Sequence, residues 1–221
     1  MVLWSANEFT CSKFQRTKIK MPRCLCLKRV FDFSLSVTGL LISLPLWCIF
    51  ALAIRLSDGG PVFYFQERVG KGGRIFKGIK FRSMIPDAEK NVGPIQAKTD
   101  DPRITRVGRI FRATAMDELP QLVNIAKGDM SFVGPRALRP KEIELTPGSE
   151  AVDMSNIPGF EKRIGIRPGL TGFAQVFASR NLPREEKFKY DVWYVENMSF
   201  WLDVKLILKS FAITSRAKWD T

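Results

Sequence analysis

Histidine is absent from all 221 residues of the chain. That absence excludes a Ser-His-Asp or Cys-His arrangement and any metal site built on imidazole, so acid-base and nucleophilic work must fall to other side chains. Cysteine is scarce: Cys11, Cys24, Cys26 and Cys48 are the four present, and the last sits inside an apolar run. Neither a zinc cage nor a disulfide framework is the natural reading of that spacing, and a reducing cytoplasm suits it better. Internal repeats and low-complexity tracts are missing too. Acidic residues are the minority, 22 against 35 Lys and Arg, which leaves a net charge of +13. A surplus of this size draws a surface toward phosphate-bearing partners, whether nucleic acid, anionic lipid or nucleotide, and does not by itself choose among them. Apolar material is plentiful: 45% of the chain is hydrophobic, enough for one domain with a core of its own and an appendage.

The longest uncharged run reads FSLSVTGLLISLPLWCIFALAI, Phe33 to Ile54. As a helix it would measure roughly 33 Å, long enough to cross a bilayer. A secretory signal would be shorter, nearer residue 1 and followed by a small-residue cleavage site, so this segment is expected to stay on the mature protein. Its flanks carry the same charge. Lys13, Arg16, Lys18, Lys20, Arg23, Lys28 and Arg29 precede it, while Arg55, Arg68, Lys71, Arg74, Lys77, Lys80 and Arg82 follow. By the positive-inside rule both ends belong to the cytoplasm. An ordinary span, a helix that dips into one leaflet and returns, and a buried soluble helix all remain open. Pro45 favours a break, because it removes one backbone hydrogen bond and presses on the carbonyl of Leu41, at a cost of ~3 kcal/mol in water. Ser43 is placed to satisfy freed carbonyls at membrane depth.

After Ser57, DGGPVFYFQERVGKGGRIFKGIKFRSM alternates short apolar-aromatic runs with glycine turns, which predicts short strands. Its GKGG lacks the spacing of a dinucleotide fingerprint and reads as a turn. In DPRITRVGRIFRATAM, arginines at 103, 106, 109 and 112 flank Ile104, Val107 and Phe111. An amphipathic helix of this kind suits a bilayer interface or a phosphate site, and equally a solvated face with snorkelling side chains. Trp193, Tyr194, Phe200, Trp201 and Trp219 lie near the C-terminus among apolar and basic residues, a mixture that suits either a headgroup zone or core packing. The one plausible linker is the polar stretch from Leu145 to Gly159.

In a chain so basic, Asp117 and Glu118 stand side by side in RATAMDELPQL. Pro120 is comfortable only within a first helical turn, which puts Asp117 at an N-cap, or at the third helical position if Thr114 caps. In the plain reading both are acids that stabilise a helix start. In the functional one an ionised carboxylate attacks phosphorus while its neighbour holds Mg²⁺ and nearby arginines neutralise phosphoryl oxygens.

The sequence closely resembles the bacterial sugar transferase family, the small monotopic phosphoglycosyl transferases that load a first sugar phosphate onto a polyprenol phosphate. The resemblance covers roughly Lys28 to Ser215. It rests on KRVFDFSLS, GGPVFYFQERVGKGGRIFKGIKFRSM, DPRITRVGRIFRATAMDELPQLVNIAKGDMSFVGPR, RPGLTGFAQV and YDVWYVENMSFWLDVKLIL, long motifs in the family's order. The implied fold is α+β and mostly helical, with a re-entrant membrane helix broken at Ser43 and Pro45, interfacial amphipathic helices and a small cytoplasmic catalytic domain. The implied division is an extension of unassigned role over 1–27, the membrane helix over 28–57 and the catalytic domain over 58–221.

The resemblance implies that Asp117 attacks the β-phosphate of a nucleoside diphosphate sugar, with UDP as the expected nucleotide. It further implies that Glu118 holds Mg²⁺, that Arg112 and Arg136 bind phosphate, and that Lys80, Arg82 and Arg167 support them. The implied partners are the nucleotide sugar, undecaprenyl phosphate and the inner leaflet of the bacterial cytoplasmic membrane, in the first membrane step of surface glycan assembly. A homo-oligomer is left open. Two departures stand out: GPRALRP replaces the family's usual GPRP, so Arg139 becomes a candidate to share the role of Arg136, and about 27 residues at the start lack an obvious family match. Two rivals remain. One is direct attack by the lipid phosphate without a covalent intermediate. The other is a non-enzymatic membrane-surface scaffold or nucleic-acid binder, for which the interleaved basic and aromatic signature is missing.

Overall fold

The computed structural model describes residues 25–86, 88, 101–140, 143–144, 152–179 and 181–215. Most of the expected 1–27 extension, part of the 145–159 linker and Trp219 lie outside them. The first element is helix α1, Leu25–Asp58. Its buried residues are Asp32, Ser36, Ser43, Phe50 and Ile54, a stripe at helical spacing. Three of the five are polar, while Leu41, Ile42, Leu44, Ile49, Leu52 and Leu56 point outward and are exposed. This inverts the pattern of a soluble amphipathic helix, whose apolar stripe faces inward. The outer face of α1 is therefore an apolar surface of a size that calls for lipid or a partner.

The inward stripe lies against the rest of the molecule from end to end. Near its start, Lys28 donates to Asp203 at 2.6 Å and to the Val133 carbonyl at 3.0 Å, and Asp32 accepts from the Phe132 amide at 3.1 Å. Leu40 packs on the cluster of Leu122, Ile125 and Met130. Near its end, Phe50 and Ile54 join Phe81 and Phe111, with the Phe50 and Phe111 rings 4.7 Å apart. The element runs through Pro45 as one helix. Ser43 donates to the Leu40 carbonyl and accepts from the Trp47 indole at 3.1 Å, which secures the turn around the missing proline N–H. Pro45 itself faces outward.

Strands β1, Phe63–Val69, and β2, Ile75–Phe81, pair antiparallel as a hairpin with Phe63 opposite Phe81 and Val69 opposite Ile75. The GKGG segment closes it as a turn, with Gly72 and Gly73 at positive φ, as the sequence predicts. Helix α2, Arg106–Ala113, is capped by Thr105, whose side chain accepts from the Gly108 amide at 2.9 Å. Gly108 meets the Ser83 backbone so closely that a Cβ there would overlap the Ser83 carbonyl; this contact sets α2 against the end of β2. A 3₁₀ turn at Met116–Glu118 leads into α3, Gln121–Lys127.

Strand β3, Ser131–Val133, pairs parallel with β6, Gly169–Thr171, and β4, Ile143–Glu144, pairs antiparallel with β5, Val152–Asp153. Helix α4, Phe160–Ile164, precedes β6; α5, Phe173–Phe177, α6, Arg184–Asn197, and α7, Phe200–Ser215, follow it. Val133, Phe173, Tyr194 and Leu206 form the core between β3 and these helices. The fold is mostly helical with small two-stranded sheets, as expected in outline. Ile110 on α2 and Trp201, Leu208 and Phe211 on α7 expose large apolar side chains.

Candidate active site

Asp117 and Glu118 sit on the 3₁₀ turn between α2 and α3. Ala115 enters that turn with φ at +53°, in the left-handed region, which costs a side chain with a Cβ roughly 1–2 kcal/mol. The cap roles expected for this stretch are not the ones observed. The Thr114 hydroxyl donates back to the Ile110 carbonyl at 2.8 Å and closes α2, and Pro120, not Asp117, is the N-cap of α3. Freed from capping, Asp117 is buried, with its side chain 11% exposed, behind β2.

Lys80 on β2 serves both acids: its ammonium donates to Glu118 Oε1 and lies 4.0 Å from Asp117 Oδ2. Burial pushes the Asp117 carboxyl up to about 6, helped by the negative charge of Glu118 and opposed by Lys80 and Arg112. Burial also pushes Glu118 upward, but Lys80 and Arg136 together outweigh it and hold that carboxyl below its ordinary value. Neighbouring carboxylates are thus driven apart, one toward the neutral form near pH 6 and one held ionised.

The hairpin and α3 are locked together by Asn124, which is 1% exposed. Its side-chain oxygen accepts from the Ile79 amide at 3.1 Å, and its nitrogen donates to the Lys77 carbonyl at 2.9 Å and to Asp129 at 3.3 Å. Ile79 precedes Lys80, so this clamp sets the height at which Lys80 meets the turn. Arg136 follows β3 and is exposed. Its backbone carbonyl accepts at 2.9 Å from Arg163, which is itself buried in an ion pair with Asp191 at 2.9 Å and lies over the Phe188 ring.

Glu118, with Asp117 next to it in the chain, lines a shallow cleft together with Arg68, Lys80 and Arg136 on its charged side and Gln121 and Gln175 among others. The structure brings Lys80, Asp117, Glu118 and Arg136 together. Arg112 acts on Asp117 through its charge and donates to Ser83 Oγ at 2.9 Å. Arg82 lies elsewhere: it is buried, pairs with Asp58 at the end of α1 and packs under Gly60. Arg167 donates to the Gly128 carbonyl at 2.7 Å, at the C-terminal end of α3, beside Arg29, which donates to Ile125 and Ala126. Neither Arg82, Arg167 nor Arg139 lines the cleft.

Sequence reasoning missed Arg68, Gln66, Asn124, Gln121 and Gln175. For two of them a signal exists. Across the hairpin Tyr64 pairs with Lys80 and Gln66 with Gly78, and opposed residues share a face, so counting by twos from Lys80 reaches Gln66 and then Arg68. Asn124 and the cleft side of α5 depend on tertiary packing and carry no local mark.

Glu118 opens on a cationic cleft with Asp117 next to it in the chain, a donor set that fits Mg²⁺, which characteristically takes one or two protein carboxylates and completes its shell with substrate phosphates and water. Among the described residues no group of three or more His, Cys, Asp or Glu side chains forms a fuller cage.

The family model described as bacterial sugar transferase matches residues 23–217. A putative undecaprenyl-phosphate N-acetylgalactosaminyl 1-phosphate transferase of Bacillus subtilis (strain 168) is 48% identical over 159 residues, which cover 72% of this chain and 81% of that protein. The UDP-N-acetylgalactosamine-undecaprenyl-phosphate N-acetylgalactosaminephosphotransferase of Aeromonas hydrophila is 38% identical over 83% of this chain and 42% of its own length. The undecaprenyl-phosphate galactose phosphotransferase of Salmonella typhimurium is 35% identical over 86% of this chain and 40% of its own length.

Proposed function

The chain belongs to the bacterial sugar transferase family, and from that premise we propose that it moves a sugar phosphate from a UDP-sugar to undecaprenyl phosphate through a covalent aspartyl intermediate. The observation that carries the mechanism is the Asp117 carboxyl, buried beside Lys80 and Arg112 and released from any helix-capping role. In the first displacement an Asp117 oxygen bonds to the β-phosphorus as the bond from that phosphorus to the bridging oxygen breaks. UMP departs with the bridging oxygen and its electron pair, and the sugar phosphate stays on Asp117. In the second, a phosphate oxygen of undecaprenyl phosphate attacks the same phosphorus. The aspartyl bond breaks, the carboxylate is restored, and undecaprenyl diphosphate sugar is released.

Lys80, Arg136 and Arg68 line the cleft where the transferred phosphate would sit and would share its charge. Glu118 is the residue we assign to Mg²⁺, which when bound neutralises charge on the phosphoryl oxygens. Arg82 and Arg167 support the site through the elements they tie down.

The membrane arrangement we propose is monotopic, with α1 entering one leaflet and both of its ends on the cytoplasmic face of the inner membrane. Basic residues flank the segment on both sides. Both ends of α1 also pack on the same folded body, through Lys28 and Asp32 at one end and Phe50 and Ile54 at the other. A helix crossing the hydrocarbon core would carry one end about 30 Å away from that body's side of the bilayer. The outward leucines of α1, with Ile110 and Trp201, form the surface that meets lipid.

The test uses purified protein in detergent with UDP-N-acetylgalactosamine and no lipid acceptor. One equivalent of UMP should be released, and the protein should gain the mass of one phosphosugar on Asp117. Asp117→Asn should show neither. Turnover with the acceptor but no adduct at any time would instead favour direct attack by the lipid phosphate.

A further inference from the structure

Arg136 is the exposed residue in a buried run: Val133, Gly134 and Pro135 before it and Ala137 and Leu138 after it are all buried. Its side chain reaches the cleft from a backbone held at four consecutive carbonyls. Pro135 accepts from the Gly169 amide at 2.9 Å, Arg136 from Arg163 Nη2 at 2.9 Å, Ala137 from Arg68 Nη1 at 2.9 Å and Leu138 from the Val69 amide at 2.8 Å. These donors belong to β6, α4 and β1. The bond at Arg136 itself comes from a charged group that stays out of the cleft. Arg163 borders a separate hollow with Gly70, Pro135 and Pro168.

Arg163 is fixed in turn. It is 4% exposed, its Nε and Nη2 donate to Asp191 Oδ2 on α6 at 3.1 and 2.9 Å, and its guanidinium carbon lies 4.2 Å from the centre of the Phe188 ring. Asp191 is buried as well. Nη2 has two protons, enough for both the aspartate and the Arg136 carbonyl. Burying two charges costs about as much as their pairing returns, and apolar side chains of similar volume often fill such a site as well or better. Stability alone therefore gives no reason for charge here. A planar fork that holds an aspartate and a carbonyl at once does what no apolar side chain can.

We propose that Arg163, held by Asp191, is a positioning residue: it fixes the backbone of Arg136 so that the Arg136 guanidinium meets the donor's phosphate in the cleft. The assignment rests on the transferase reading above, and Arg163 itself touches no substrate in it. A purely structural pair would tie α4 to α6 and act no differently with Arg136 absent.

The experiment replaces the pair together, Arg163→Met with Asp191→Leu, because either change alone strands a buried charge and threatens the fold. UMP release is measured on full-length protein in detergent at saturating undecaprenyl phosphate. The donor is whichever of UDP-glucose, UDP-galactose, UDP-N-acetylglucosamine and UDP-N-acetylgalactosamine the wild type uses best. Donor KM should rise about 10-fold, the scale of one misplaced charge-assisted hydrogen bond, with kcat changed less, since the phosphate carries its charge before reaction begins. A partly unfolded population would do the reverse, lowering kcat through lost active protein and leaving KM alone. The same pair is then replaced in an Arg136→Met background. There it should lower kcat/KM no further, because the group it positions is gone. Arg163→Lys, whose single nitrogen keeps Asp191 but gives up the Arg136 carbonyl, supplies the same two readings if the paired variant does not fold. A folded variant with wild-type donor KM, a fall confined to kcat, or losses that multiply with Arg136→Met overturns the assignment. Failure of the wild type to release UMP from any of the four donors overturns the transferase reading itself.

Discussion

Lys80 Nζ stands 4.0 Å from Asp117 Oδ2 while donating to Glu118, so one ammonium group serves two carboxylates. Asp117 is the deeper of the two, and Lys80 is among the charges that keep it from rising further. The pair therefore behaves as a coupled unit in which any change at Lys80 or Glu118 is read out at Asp117.

UMP release from enzyme and donor alone should rise about tenfold per pH unit in acid and level off above a midpoint near 6, where burial has placed Asp117. Lys80→Met removes a lowering influence and should move the midpoint upward. Glu118→Gln removes a raising one and should move it downward. Stability carries the same signature: Asp117 titrates at about 6 when folded against 3.8 as an ordinary aspartate, so its contribution weakens as pH rises through that window. Glu118, held low, contributes in the opposite sense, and its share is lost as pH falls. Rapid-quench assays across pH on the three proteins check the midpoints.

Asn124→Leu should cost about 1–3 kcal/mol, because the Ile79 amide and the Lys77 carbonyl lose their partner inside the core. Activity should fall further than stability alone accounts for, since β2 is then free to shift Lys80 away from the turn. Thermal unfolding in detergent together with kcat at a temperature where the variant remains folded separates the two effects.

Gly108→Ala drives a methyl into the Ser83 carbonyl and should destabilise by ~1–3 kcal/mol through overpacking. Arg112, one turn further along α2, loses its hold on Ser83 Oγ as the helix moves out. The variant should therefore bind donor more weakly as well, measured as KM for the UDP-sugar.

Topology is checked with a membrane-impermeant maleimide on a background in which Cys11, Cys24 and Cys48 are replaced by serine, each probed position being tested as the single cysteine. Cys26, exposed near the start of α1, and a cysteine placed at Lys71 in the hairpin turn should both label in inverted vesicles and neither in intact spheroplasts. Labelling on opposite sides would establish a span.

The hairpin, the glycine turn and the amphipathic character of α2 were legible in the sequence because each depends on neighbours along the chain. The carboxylate pair was legible as two adjacent acids but not as geometry. Pro120 correctly marked a helix start, yet the left-handed Ala115 inserted a 3₁₀ turn ahead of it and took Asp117 out of the capping position. Arg82 and Arg167 show the other limit: a basic residue in a motif shared with phosphate-handling enzymes can be spent on Asp58 or on the end of a helix, and only packing tells which. On α1, only packing shows that Asp32, Ser36 and Ser43 lie together on the side that faces the protein.

That stripe bears on how such enzymes diversify. Because α1 supplies a wall to the phenylalanine cluster at one end and a lysine to the Asp203 and Val133 contacts at the other, it is no interchangeable anchor. A chimera that grafts a foreign membrane segment of equal length and greasiness onto residues 59–221 would keep its address at the bilayer and lose its shape, unless the graft reproduces the inward positions one by one.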